Sequence, residues 1–286
     1  MKHGFVKVMA ASVNIKVADC EFNKERIIEK IFEADKRGAE LLVLPELCIT
    51  GATCGDLFYQ SALLKAAEDA LADILFETSN TEVVAIVGLP VSTCGKLFNC
   101  SAVIAKGKLW GLIPKTGDDL FLDPDKFYSI DYHDYCVPVS TDLTFTLNGN
   151  SDFSFSINSA KGLVAVYPKA EHEAVGRADG RRIMAKAISA SENCAYIYAN
   201  AGYGESTTDM VYSGHCIIAE NGTILSEEKP FNGDAAICEI DIDRLLHDRR
   251  RNKKPAEINS KWDIIESPVC NKNGRKRPIH EYRARK

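Results

Sequence analysis

Two ionisable side chains stand where apolar runs end, which is where layered α/β proteins present groups to ligands. The stretch "LLVLPELCITGATCGDLF" places Glu46 at the end of a buried-strand run, and "KLWGLIPKT" places Lys115 at the end of another. A carboxylate at a strand end is partly desolvated and suits a general base. Each residue also has an ordinary alternative, Glu46 as a helix cap or ion-pair partner and Lys115 as a surface lysine. A nucleophile is harder to find. The ten cysteines contain no C-x-x-C pair, so neither a zinc site nor a dithiol couple is signalled, and reduced thiols of a reducing compartment are expected. His172 and His215 are further base candidates, although His215 lies in a strand pattern where a hydrogen-bonded buried imidazole is expected. No phosphate loop is present, and neither metal nor cofactor is expected.

Strand and helix signals alternate around these residues. "VKVMAASV" precedes "NKERIIEKIFEADKRG", in which Asn23 reads as an N-cap, Ile27, Ile28, Ile31 and Phe32 recur at helical spacing, and Gly38 closes the helix. The strand "ELLVLPE", the helix "SALLKAAEDALADILFE" and the strand "VVAIVGLPV" follow. This order predicts a layered α/β fold. Two antiparallel hairpins are predicted, one turning at Lys106-Gly107 and one at Asn221-Gly222. The strand "DAAICEIDI" and the short helix "DRLLHDRRR" come next, then an irregular basic segment from about Asn252.

Composition limits the function classes. A chain of 286 residues, 45% hydrophobic, can bury a sizeable core. Its apolar runs fall far short of the roughly 20 residues a membrane span needs. The N-terminus has no secretory-signal pattern, so a cytoplasmic location is expected. Net charge is -5, yet residues 248–286 carry thirteen Lys/Arg against five Asp/Glu. That segment lacks interleaved aromatics, so a solvated or partner-facing tail is expected in preference to a nucleic-acid arm.

Taken together, "VLPELCITGATCGDLF", "GLIPKT" and "NAGYGESTTDMVYSGHCIIAENGTIL" resemble the nitrilase (carbon-nitrogen hydrolase) superfamily, most closely the glutaminase domain of glutamine-dependent NAD synthetase. The likeness runs from about Val6 to Arg251, and "GESTTD" is its most specific part. The resemblance implies a four-layer α-β-β-α sandwich for residues 1–251, with 252–286 as a basic C-terminal tail and the synthetase domain absent. It also implies a Glu-Lys-Cys triad that hydrolyses the glutamine side-chain amide through a thioester. Glu46 matches the general base and Lys115 the oxyanion stabiliser. Homo-oligomerisation is implied too, with a synthetase as a further possible partner.

The third role is unfilled. The family carries its cysteine in a Glu-x-Cys-Glu-Asp segment after the strand that "FSFSI" resembles, and this chain has Asn158, Ser159 and Ala160 there. The next strand pattern, "LVAVY", starts at Leu163. Parallel neighbours need a crossover of about a dozen residues, so the expectation is that Phe153–Ile157 and Leu163–Tyr167 pair as a hairpin or that one leaves the sheet. Nearby, Gly117 stands at a family tyrosine, Ser129 at the glutamate that supports the triad lysine, and Gly180 at a second tyrosine. Ser159 is a poor substitute nucleophile without a base of histidine strength. Cys48, Cys54, Cys136 (read as a loop residue) and Cys194 are expected to be inert. Two functions stay open: a catalytically degenerate glutaminase-like domain, or an amidase, acting on glutamine or another small amide, that uses a substitute nucleophile or whose sequence here lacks a segment.

Overall fold

The computed structural model describes residues 4–93, 95–117, 119–123, 128–132, 135–147, 150–253 and 265–266. Most of the expected basic tail and part of the 118–127 loop lie outside them. Along the first half run β1 (Phe5–Ala11), α1 (Cys20–Lys36), β2 (Leu41–Val43), α2 (Ser61–Glu77), β3 (Val84–Thr93), β4 (Lys96–Ala105), β5 (Lys108–Pro114), β6 (Tyr128–Tyr132) and β7 (Tyr135–Val139). The second half adds β8 (Thr144–Leu147), β9 (Asn150–Ile157), β10 (Val164–Lys169), α3 (Arg177–Glu192), β11 (Ala195–Asn200), β12 (Cys216–Glu220), β13 (Thr223–Glu228), β14 (Ala235–Asp241), α4 (Ile242–Arg251) and β15 (Ile265–Glu266).

These strands form two mixed sheets, ordered β14-β1-β2-β3-β4-β5-β7-β6 and β13-β12-β11-β10-β9-β8-β15. Side chains alternate across each strand, and here both faces are apolar. Val6, Val8, Ala10, Leu41 and Val43 meet Phe153, Phe155, Val164, Val166 and Ile197 between the sheets. Met9, Ala11, Leu42 and Leu44 face the other way and pack with Ile27, Ile31, Leu71 and Ile74 of the first two helices. On the second sheet's outer face, Tyr196, Tyr198 and Ile217 pack with Ala185 of α3. The layers are therefore helix, sheet, sheet, helix, as the family resemblance implies.

Both predicted hairpins form, with Lys106, Gly107, Asn221 and Gly222 in the left-handed region and the register running through β4–β5 and β12–β13. Helix α2 covers the predicted residues. Helix α1, however, begins at Cys20 with Asp19 as its N-cap, its carboxylate accepting from Phe22 N. Asn23 is buried inside the first turn, where its side chain bonds Lys16 N, Lys16 O and Ile49 O. Phe32 is largely exposed on the far side of that helix. Cys136 lies in β7 and not in a loop.

The larger correction concerns β9 and β10, which pair in parallel, Phe155 with Val164, Ser156 with Ala165 and Ile157 with Val166. The dozen-residue expectation applies to strands that overlap along their length. Here only three pairs overlap, so the chain retraces only a short distance. Asn158, in the left-handed conformation (φ 54°), starts the reversal, which asparagine tolerates better than most residues. Ser156 Oγ then donates to Ser159 O, Gly162 N donates back to Ser156 Oγ, and Leu163 N donates to Ser154 Oγ. The connection thus lies back along β9. A β-carbon on Gly162 would sit 2.8 Å from Phe155 Cα, so only glycine fits. From α4, Arg249 fastens the loop, donating through Nη2 to Gly162 O (2.7 Å) and Ala160 O (3.5 Å), and through Nε to Asn193 O (3.2 Å) and Glu192 O (3.3 Å).

Candidate functional site

The turn after β2 is pressed onto β3 at Gly88. A β-carbon there would lie 2.2 Å from Leu47 N and 2.5 Å from Pro45 O. Ile49 N donates to Gly88 O, and Leu47 sits at φ 53°, a conformation costly for a branched side chain. This compression turns Glu46 inward, where the residue is 5% exposed.

Lys115 arrives from the end of β5. Its backbone N donates to Asn99 O (2.7 Å), and its Nζ donates to Glu46 Oε1 at 2.7 Å. Asn99, fully buried in β4, donates through Nδ2 to the same Oε1 at 2.5 Å. One asparagine therefore sets both partners. The other carboxylate oxygen, Glu46 Oε2, is buried with no hydrogen-bond partner among the described residues. A buried ion pair needs its remaining lone pairs satisfied to break even, and those of Oε2 are not met among the described residues.

The second sheet supplies the opposite wall. Lys169 ends β10, half-buried, and its ammonium is held below the usual lysine range by burial. The charges acting on it are those of Glu46, Lys115 and Glu171. Tyr212 is half-buried beside the same groups, and burial raises its phenol, with Glu205 and Glu46 adding to the rise. Glu205, from the "GESTTD" stretch, bridges the two walls. Its carboxylate accepts from Ala52 N (2.8 Å), Thr53 N (3.1 Å) and Thr53 Oγ1 (2.6 Å), and Ser206 N donates to Thr53 Oγ1. The most family-specific stretch thus clamps the loop that follows Glu46. Burial raises the Glu205 carboxyl above its ordinary value.

Glu46 and Lys115, the two strand-end candidates, meet across 69 residues of chain. Ser159 and Ala160 are not brought to them. Their segment runs back toward Arg249 and the start of β11, away from the strand end at which Lys169 lies. Among the described contacts the Ser159 hydroxyl meets no base. Cys48 and Cys54 are buried, with thiols pushed up to about 12 and about 11 by burial. Cys194 is buried where α3 gives way to β11. His215 is fully buried; Arg181 Nε donates to its Nδ1 (3.0 Å) and its Nε2 meets Glu227 Oε1 (2.9 Å). This is the satisfied core imidazole the strand pattern predicts. Positions 117 and 180 are open, since a β-carbon on either glycine would meet nothing within 4 Å, and Ser129 is exposed in β6. Among the described residues, no group of three or more His, Cys, Asp or Glu could hold a metal ion, and no helix is long and apolar enough to cross a membrane.

Asn99 and Lys169 were missed in the sequence. A lone amide inside the apolar run "LFNCSAVIA" was the available signal for the first, and a lysine closing "LVAVYPK" for the second.

Comparison with known proteins bears on the same segments. Residues 7–117 match the carbon-nitrogen hydrolase family model. Over 281 aligned residues the chain is 29% identical to the glutamine-dependent NAD(+) synthetase of Mycobacterium tuberculosis, covering 87% of this chain and 41% of that protein. The synthetase of Aquifex aeolicus is 28% identical, with 81% and 42% covered. The chain therefore spans about two fifths of the length of these curated relatives. Among solved structures, the glutamine-dependent NAD(+) synthetase of Cytophaga hutchinsonii superposes with TM-score 0.75 at 25% identity, over 84% of this chain and 43% of that one. A nitrilase-superfamily protein of Saccharomyces cerevisiae gives 0.66 at 16% identity, over 87% and 94%, a likeness of fold alone.

Proposed function

For a chain that carries a carbon-nitrogen hydrolase domain on the nitrilase-superfamily fold, close to the glutaminase part of glutamine-dependent NAD synthetase, we propose a glutaminase-like domain that has lost amide hydrolysis. It keeps the base and oxyanion positions, Glu46 and Lys115, without a nucleophile between them. One observation carries this reading: the chain turns at Asn158 and retreats along β9 into β10. The residues that would present a thiolate to Glu46 are spent on a turn, and the turn's polar groups are internally bonded. An attacking group must lie within roughly 3–3.5 Å of the reacting carbon, and this segment is directed elsewhere. Such a domain, taken as residues 1–251, acts through its surfaces, as a homo-oligomer or docked on a synthetase.

A second reading has its own support. Glu46 Oε2 is buried and unpartnered, the condition of a base awaiting a proton donor, and an amidase with a substitute nucleophile would need it. Ammonia release from glutamine by the purified chain, beside Glu46→Ala, separates the two, with intact mass read after exposure to a glutamine-like electrophile. The degenerate reading expects no release above background and no adduct. Release that Glu46→Ala abolishes, with an adduct on one residue, would overturn it.

A further inference from the structure

Helix α3 buries Arg181, Ala185 and Ser189 against the second sheet, so before Ala185 the arginine is its only buried anchor. The turn ahead of that anchor is weak in itself. Gly176 occupies the N-cap with no side-chain cap bond, Gly180 lies inside the first turn, and glycine is a poor helix former. Val175, Gly176, Arg177, Asp179 and Gly180 are exposed. What holds this end down is a hydrogen bond with a fixed direction. A guanidinium can only donate, so Arg181 Nε makes His215 Nδ1 an acceptor (3.0 Å) and leaves the ring proton on Nε2, where it faces Glu227 Oε1 (2.9 Å). Arg181 Nη2 pairs with Glu173, whose N donates to Val211 O at 2.6 Å. Arg181 Nη1 is buried with no hydrogen-bond partner among the described residues, so the arginine has no bond to spare.

We propose that His215 is an acid-released latch for the start of α3. A second ring proton has only Nδ1 to occupy, where it meets the Nε–H of Arg181, donor against donor and cation against cation. The same charge strengthens the bond from Nε2 to Glu227, so the ring keeps β13 and sheds α3. The charged and titratable groups around the imidazole are Arg181 and Arg182 from α3, Glu227 from β13, Tyr198 from β11 (ring centroids 6.4 Å apart) and, through Arg181, Glu173. Burial works to raise the carboxyls of Glu173 and Glu227, but their hydrogen bonds and arginine partners outweigh it and hold both below the ordinary carboxylate value. Both therefore stay charged while the imidazole titrates. Released, residues 173–181 lift from β12 about Arg182, whose Nε keeps its own bond to Glu227 Oε1 at 2.7 Å. The chain enters this segment from the end of β10 at Lys169, and the device is independent of whether amide hydrolysis survives.

The test is amide exchange of the purified chain at about pH 7.5 and 5.5, corrected for the intrinsic pH dependence of exchange. It is read at Glu173, Arg177 and Gly180, whose N–H groups bond Val211 O, Ala174 O and Gly176 O. In the wild type their protection falls by about three- to tenfold on acidification, since one linked proton allows at most about tenfold for each pH unit below 6.5. Residues 217–219 of β12 keep theirs. His215→Gln retains an acceptor for Arg181 and a donor for Glu227 but cannot titrate, so protection stays level between the two pH values. Arg181→Met removes the bond at any pH, and the same amides are loose already at the higher one. Circular dichroism checks that both variants are folded. On the wild type alone, the His215 ring followed by NMR titrates with the midpoint at which exchange rises. Protection of 173–181 that is indifferent to pH in the wild type, an equal acid loss in folded His215→Gln, tight amides in folded Arg181→Met, separate midpoints for ring and exchange, or simultaneous loss across β12 overturns the latch.

Discussion

Replacing Arg249 with alanine should destabilise the fold by about 2–3 kcal/mol, because this one side chain fastens the β9–β10 connection. Its best contact is Nη2 to Gly162 O at 2.7 Å, and Nε is shared between Asn193 O (3.2 Å) and Glu192 O (3.3 Å). Hydrogen bonds to a charged group contribute about 1.5–3 kcal/mol each, which for two strong interactions gives roughly 3–6. Part of this is offset, since burial already penalises the guanidinium and holds it below the usual arginine range. Water can also reach some of the freed carbonyls after truncation. The assay is urea unfolding with an unchanged m-value, together with amide exchange at Gly162 and Leu163, whose N–H groups bond Ser156 Oγ and Ser154 Oγ. For a domain of this size the loss corresponds to roughly 5–10 °C in Tm. In the Arg249→Lys variant the single ammonium can engage one carbonyl pair but not both, so about half the loss is expected there. If Arg249→Ala stays within about 0.5 kcal/mol of wild type, like Arg250→Ala at an exposed neighbouring site, the connection holds its course without the arginine and the reasoning fails.

The Glu46–Lys115 pair should respond asymmetrically. Lys115→Met strands a carboxylate whose side chain is 7% exposed and should cost about 3–5 kcal/mol. Glu46→Gln keeps an acceptor for Asn99 and leaves an ammonium that is 27% exposed, so it should cost at least about 1 kcal/mol less. Urea midpoints in the opposite order would contradict the placement of the pair. His215 is held below its ordinary value of 6.5, chiefly by burial. The unfolded chain therefore takes the proton first as pH falls. Stability contributed by neutral His215 is complete above 6.5 and is lost as pH drops toward the folded-state value. Denaturation at about pH 7.5 and 5.5 should show a larger acid loss in wild type than in His215→Gln, and equal losses would refute the assignment.

Much of this was legible in the sequence where local chemistry decides the outcome. Asn221-Gly222 specifies a turn, the apolar spacing of α2 specifies its face, and Glu46 and Lys115 stand at strand ends by pattern alone. What was hidden depends on partners far along the chain. Asn23 looks like a cap by residue type, but Asp19 caps the helix and Asn23 instead ties Lys16 to Ile49. Asn99 gains its meaning only when β4 lies beside Glu46. Nor does the string "INSAKGL" announce a parallel pair, because the overlap of β9 and β10 is set by tertiary packing and by Arg249.

The order of the first sheet has a consequence for how the protein is made. Strand β1 receives its outer neighbour from β14, with Phe5 opposite Asp241 and Ala11 opposite Ala235. During synthesis at about 5–20 residues per second, β1 leaves the ribosome at least roughly ten seconds before that neighbour exists. Throughout this interval its outer hydrogen-bonding edge is bare, and Val6 and Val8 stay uncovered until the strands of the second sheet, β8 to β13, have followed. A nascent chain with such an edge invites pairing with other chains. Chaperone dependence during translation, greater than for a protein of equal length with locally paired strands, follows from this single pairing.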